Sequence, residues 1–330
     1  MTPEPASTPK RTTLDTILRR LIWAAVLGAL VLAGFGLYAD VGQLVDNLRR
    51  FEWLYLPAAV GLVLVSYAIR LWRWNLYLRI AEVKVASGES ALIFFSGFVM
   101  SVTPGKFGEV LKSLLLREST QIAIARTAPI VIAERLTDFI SLVVLSSIGA
   151  LSFQYGGVLI AVSGVLSIVG VVLISSRPLA LSCIGLTRRM PVLHKLTPKL
   201  VEMYESMADL VRLGPLVWAT LLAAAAWLTE CVGVWLLCRG IGAEHVTLQM
   251  AIFIHAFATI FGAVSMMPGG LGVTEGSMTF LLVKLGKLAQ APAVAATLLV
   301  RLCTLWFGVL VGLFALLRWR KVHGRRTQLG

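Results

Sequence analysis

Six stretches of the chain are apolar for about the 20 residues a helix needs to cross the hydrocarbon core of a bilayer. They run roughly 21–39, 54–76, 128–151, 156–175, 215–238 and 292–317. Lipid leaves no partner for an unpaired backbone group, so apolar runs of this length specify membrane helices. Two further apolar regions, 90–117 and 248–288, are interrupted midway. The first breaks at Thr103-Pro104-Gly105-Lys106-Phe107-Gly108-Glu109, the second at Pro268-Gly269-Gly270-Leu271-Gly272-Val273-Thr274-Glu275. Proline removes a donor and glycine permits unusual dihedrals, so the chain turns there. Such a turn is tolerated at membrane depth only under cover of protein or a wet cavity. The expectation is an all-α polytopic membrane protein with about six full transmembrane helices and two re-entrant helical hairpins.

Composition supports a membrane protein. Hydrophobic residues make up 58% of the chain and charged ones 14%, at a mean hydropathy of +0.84. A soluble domain cannot hide that much apolar surface. The net charge of +13 sits in tails and loops, which suits topology and anionic headgroups, and argues against nucleic acid as a partner. Cys183, Cys231, Cys238 and Cys303 follow no zinc or redox spacing and read as small packing residues. The run from Leu21 to Ala39 is long for the core of a cleavable signal.

Charge also orients the spans. Lys10, Arg11, Arg19 and Arg20 put the N-terminal tail (1–20) in the cytoplasm, and Arg318, Arg320, Lys321, Arg325 and Arg326 do the same for the C-terminal tail (318–330). The linker 177–213 is basic, and Pro198 to Leu213 reads as an amphipathic helix, interfacial or packed on the protein. All these groups lie inside only if both broken regions return to their own side. The first hairpin then enters from the cytoplasm and the second from outside. Span, hairpin, span at 54–151 and again at 215–317 form an inverted repeat within a single membrane domain, 21–317, a recurring transporter design. The expected location is a bacterial-type cytoplasmic (inner) membrane.

Ionisable groups inside the apolar segments are the candidate functional residues, because a charge at the bilayer centre costs about 2.5–3.5 kcal/mol on insertion scales. Arg70 and Glu230 lie within spans, and Glu134, Arg135 and Asp138 start the third. Glu109 precedes Arg135 by the same 26-residue interval that separates Glu275 from Arg301. Each acid-arginine pair either locks a hairpin to the span that follows or leaves an arginine to hold a phosphate. Helix starts after the Pro-Gly breaks offer free N–H groups to an anion, with Lys106 adding a cation in the first half. His255 reads as a bonded core histidine. Trp23, Trp53, Trp72, Trp74 and Trp319 lie near span ends and suit interfacial anchoring.

The Thr103–Glu109 run, Glu134-Arg135-Leu136-Thr137-Asp138, the Pro268–Gly276 run and Arg301 together resemble the lysylphosphatidylglycerol synthase transmembrane-region family, whose members are also called flippase-like. The resemblance covers about 20–317 and implies movement of lipids between leaflets. Anionic, aminoacylated, polyprenyl-linked or hopanoid-type lipids are the implied partners. The soluble aminoacyl-transferase domain of the full synthases lies outside the resemblance, so no enzymatic activity and no cofactor or metal is expected. On this reading Arg135, Arg301 and Lys106 hold phosphate, and Glu109, Glu134, Asp138 and Glu275 balance the charge. Pro104, Gly105, Gly108, Pro268, Gly269, Gly270 and Gly272 form the hairpin turns. The alternatives are an accessory subunit to a lipid-modifying enzyme, or a small-solute or ion transporter. A membrane-embedded transferase is less well supported, and homo-oligomerisation stays open.

Overall fold

A computed structural model describes residues 41–102, 111–150, 176–186 and 207–326, with a few isolated positions beyond them. Every regular element among the described residues is helical. The helices are α1 (Val41–Arg50), α2 (Tyr55–Ile80), α3 (Ser87–Ser96), α4 (Leu111–Thr120), α5 (Ile124–Ala150), α6 (Arg177–Leu186), α7 (Leu213–Gly240), α8 (Leu248–Val264), α9 (Val273–Lys284), α10 (Gln290–Arg301) and α11 (Phe307–Arg326). Short 3-10 turns at Gly97–Val102 and Pro268–Gly270 extend α3 and join α8 to α9. A π-helical turn, Leu302–Trp306, joins α10 to α11, making one apolar rod from Gln290 to His323. That rod, α2 and α7 are long and apolar enough to cross a membrane. The segments expected to span at 21–39 and 156–175 lie outside the described residues, as does the first Pro-Gly turn with Pro104, Gly105, Lys106, Gly108 and Glu109.

The two long helices α2 and α7 pack along each other. They also end alike. Val83 N–H bonds to Leu78 C=O at 2.8 Å past Glu82 in the left-handed region, and Ala243 N–H bonds to Cys238 C=O at 3.0 Å past Gly242. Both are Schellman-type stops that satisfy the last carbonyls of a helix.

The broken helices are exchanged across this pair. α8 lies on α5, and α3 with its 3-10 turn lies on α11. Glycine permits both crossings: a Cβ on Gly149 would stand 2.6 Å from the Phe253 backbone nitrogen, and one on Gly312 would stand 2.5 Å from that of Val99. α8 then reverses at Pro268–Gly270 and α9 packs back against it. The two 3-10 turns touch, with Gly269 against the backbone of Val102.

Two apolar clusters fill the helical stack. One surrounds Trp74, Tyr77, Phe94 and Leu116; the other surrounds Val234, Ile254, Met278 and Val300. Their composition corrects the tryptophan assignment. Trp53 and Trp72 are exposed as expected of anchors, but Trp74 and Trp319 are buried in the first cluster, and the Trp74 indole donates to Ser90 Oγ at 3.2 Å. Trp23 lies outside the described residues. Part of the linker helix expected at 198–213 lies outside the described residues. Ala208–Val211 form a turn, and Arg212 is extended as the N-cap of α7, which opens with Leu213-Gly214-Pro215. Tyr204, Met207 and Leu210 are buried in the first cluster, so this end of the linker packs on the protein.

A buried charge network around a basic cavity

Arg70, Arg73 and Tyr77 recur every three to four residues along α2, so they share one face. That face is turned inward onto α5 and α7. Arg70 donates from Nε to Ser66 Oγ (3.1 Å), from Nη2 to Glu230 Oε1 (2.9 Å) and from Nη1 to Asp138 Oδ1 (3.4 Å). Its guanidinium lies 4.2 Å from the Trp227 ring centroid. Arg73, 1% exposed, donates to the same Asp138 oxygen at 2.8 Å and to Thr137 Oγ1 at 3.1 Å. Arg135 Nη2 approaches Asp138 Oδ2 at 3.3 Å. Three arginines from two helices therefore converge on one carboxylate. Burial of the second acid, Glu230, is offset by Arg70 and by the Ser66 hydroxyl at 2.7 Å.

α4 is tied in by a second pair. Lys112 Nζ donates to Glu134 Oε2 at 2.5 Å, with both side chains almost wholly buried. The ammonium lies 4.8 Å from the Trp74 ring and 5.2 Å from that of Phe94. Its stem crosses Gly97, where a Cβ would sit 2.7 Å from Lys112 Cγ.

The second Pro-Gly turn is held from α10. Arg301 Nε donates to Glu275 Oε1 at 2.6 Å, and its Nη2 donates to Gly269 C=O, also at 2.6 Å. The other Glu275 oxygen accepts from Gly272 N–H at 2.7 Å, which caps α9. Gly269, Gly270 and Gly272 all have positive φ. Gly270 also meets Gly262 where α8 ends, and a Cβ on either glycine would collide with Thr274 Oγ1.

These groups surround one cavity of about 340 Å³. Arg70, Arg73, Lys112, Arg135 and Arg301 reach its wall, with Glu134, Asp138 and Glu230. Phe139, Met266 and Met267 give it an exposed apolar rim. His255 on α8 also lines it. It is buried, and Nε2 stands 3.7 Å from Glu230 Oε2. It is thus a core residue, as expected, set against a buried carboxylate. Among the described residues no cluster of histidine, cysteine or carboxylate groups suits a metal ion.

Of the residues singled out in the sequence, Arg135, Glu134, Asp138 and Arg301 meet at the cavity, and Glu275 lies behind Arg301. The Glu275–Arg301 pairing inferred from the 26-residue interval is present. Its counterpart involves Glu109, outside the described residues; Arg135 contacts Asp138. Arg73 and Lys112 went unremarked in the sequence. The three-residue step from Arg70 to Arg73 was the available signal, since it places both on one helix face.

A family model for the lysylphosphatidylglycerol synthase TM region matches residues 22–312, nearly the whole helical core. The chain belongs to this family. Among similar proteins, a UPF0104 membrane protein of Methanothermobacter thermautotrophicus is 23% identical over 316 residues, covering 88% of this chain and 93% of its own. One from Pyrococcus horikoshii is 24% identical over 318 residues, with coverage of 86% and 93%. A third, from Methanocaldococcus jannaschii, is 24% identical over 227 residues, 65% of this chain and 91% of its own. A membrane location follows from the family and from the apolar helices. The charge network is thus a set of ionisable groups within a membrane domain, where such groups face a bundle interior or a polar cavity.

Proposed function

We propose that this family member is a lipid translocase that moves an anionic or headgroup-modified lipid between leaflets, without chemically altering it. The observation that carries the reading is the cavity's two-sided chemistry. Five cations stand on its inner wall while Phe139, Met266 and Met267 form its rim. A phosphate meets the cations as the acyl chains stay on apolar surface. Arginine suits the task, since its planar fork grips phosphate oxygens in pairs.

In this reading the chain has six full spans and two re-entrant hairpins. The exchanged packing of α3 on α11 and α8 on α5 supports an inverted repeat, with the hairpins entering from opposite faces. Rocking of one half against the other then exposes the cavity to each leaflet in turn. Both termini lie in the cytoplasm, at a bacterial-type inner membrane, and a lipid-modifying enzyme is the natural supplier of substrate.

The test is reconstitution in liposomes containing a fluorescent anionic lipid reported leaflet by leaflet. Wild-type protein should accelerate exchange over protein-free vesicles, and Arg135→Ala or Arg301→Ala should slow it at least about tenfold, the loss of one charge-assisted phosphate contact. Equal exchange with and without protein refutes translocation. Uptake of a soluble solute with no lipid movement would favour a solute transporter on the same scaffold.

A further inference from the structure

Glu230 divides its two oxygens between different partners. Oε1 accepts from Ser66 Oγ at 2.7 Å and from Arg70 Nη2 at 2.9 Å, while Oε2 faces His255 Nε2 at 3.7 Å. Arg70, Glu230 and His255 are all buried and all line the cavity. The Trp227 ring lies 4.2 Å from the Arg70 guanidinium and 6.0 Å from the imidazole, so both groups meet the same acid and the same ring. The elements packed on α8 bring further titratable groups to this region. Among the described residues α7 contributes Glu230 and Cys231, α5 contributes Glu134, Arg135 and Asp138, and α9 contributes Glu275, paired with Arg301. Glu230 is the carboxylate that the imidazole meets.

We propose that His255 is a proton-binding site coupled to the lipid headgroup, so that an anionic lipid and a proton occupy the cavity and leave it together. The inference rests on the lipid-translocation reading and names what drives it. Histidine is the side chain whose ordinary titration lies near neutral pH. Once protonated, the ring donates from both nitrogens, and Nε2 draws on Glu230 Oε2. Glu230 then serves two cations, and its hold on Arg70 weakens. The other acid of Arg70, Asp138, stands at 3.4 Å and is closer to Arg73, at 2.8 Å. Arg70 thus turns its fork to a phosphate in the cavity, and the imidazolium adds a positive charge to the same wall.

Proton and anion favour each other by the same factor, because linkage between two binding sites is reciprocal. The anion binds the protonated form more tightly, so affinity is full in acid and falls as rising pH strips the proton. For each lipid carried, one proton is taken from water on one face and released to water on the other.

Purified full-length protein in detergent would be titrated with short-chain phosphatidylglycerol, whose phosphodiester keeps its charge throughout, at about pH 5.5 and about pH 8.5, either side of an ordinary imidazole. Binding should be at least about tenfold tighter at the lower pH, the ratio expected from one opposite charge within roughly 10 Å at an effective dielectric near 20. Near neutral pH, a weakly buffered dye solution should report proton uptake as the lipid binds. His255→Gln should bind at the weaker affinity at both pH values and draw no proton. Equal wild-type affinity at the two pH values, or uptake that persists in His255→Gln, overturns the proton site. If His255→Gln fails to fold, His194, His245 and His323 would be replaced one at a time; uptake lost in any of them overturns it, and uptake kept in all three sustains it. In liposomes under a pH gradient, the fluorescent anionic lipid should gather in the leaflet facing the alkaline side beyond its level in protein-free vesicles, and a protonophore should abolish the excess. Exchange without that bias keeps translocation and overturns the coupling. No exchange above protein-free vesicles removes translocation, and the binding results then decide the proton site by themselves.

Discussion

Removing either member of the Lys112–Glu134 pair should destabilise the protein far more than removing both. The geometry of the pair sets the magnitude. Lys112 and Glu134 side chains are 2% and 1% exposed, and their charged atoms are 2.5 Å apart. Unit charges with centres about 4 Å apart attract by about 4 kcal/mol at an effective dielectric of 20. The Trp74 and Phe94 rings beside the ammonium add roughly 0.5–2 kcal/mol. Lys112→Met leaves a buried carboxylate without its cation, and Glu134→Leu leaves a buried ammonium; each should cost about 3–5 kcal/mol. The double variant replaces two desolvated charges with apolar groups of similar volume, so most of that loss should return. The coupling energy should then be at least about 2 kcal/mol. The assay is a double-mutant cycle on unfolding in mixed micelles with increasing denaturing detergent, followed by helical circular dichroism. Single costs that add, with coupling below about 0.5 kcal/mol, would refute the reasoning. The pair would then be no more than neighbouring charges, each satisfied elsewhere.

Two smaller predictions concern packing. Gly270→Ala combines a left-handed backbone with a Cβ that would strike Thr274 Oγ1 at 2.5 Å, so it should cost about 1–3 kcal/mol and lower the melting temperature. Thr274→Ser should leave the fold intact, because the hydroxyl is retained. Cys231, Cys238 and Cys303 are buried and unpaired with one another, so a maleimide should label none of them in folded protein and all three after denaturation.

Periodicity and punctuation made the framework readable in the sequence. The apolar runs gave α2, α5 and α7 to within about four residues, while the α10–α11 rod runs past its expected end at 317 to Arg326. The Pro-Gly break gave the reversal between α8 and α9. Equal spacing paired Glu275 with Arg301, since both flank a single helical return. Inward orientation was harder to read. α2 carries Ser66, Arg70, Arg73 and Tyr77 on one face, but that stripe alone does not name the helices it meets. Arg73 then reads as a charge near the end of a span, when it is buried against Asp138 and Thr137. Trp74 and Trp319 misled in the same way: tryptophan suits an interface and a core equally well, and only the neighbouring helices decide. Lys112 stands just beyond a break, where nothing in the sequence marks it as buried. Its partner Glu134 lies on the next helix, at a spacing nothing in the second half repeats, since Met278 and Val300 occupy the positions 166 residues on.

The matched endings of α2 and α7 bear on how this molecule can be divided. Leu78 and Cys238 accept the same closing bond, and counting back eight residues from each reaches Arg70 and Glu230, which contact one another at 2.9 Å. Corresponding places on the two helices thus hold opposite charges. Two copies of α2 laid together in this arrangement would set arginine against arginine, and two copies of α7 would set glutamate against glutamate. Neither fragment can stand in for the other. If the chain were cut in the linker and its parts supplied separately, buried charge would tolerate only a one-to-one assembly, whatever the ratio in which the parts were made.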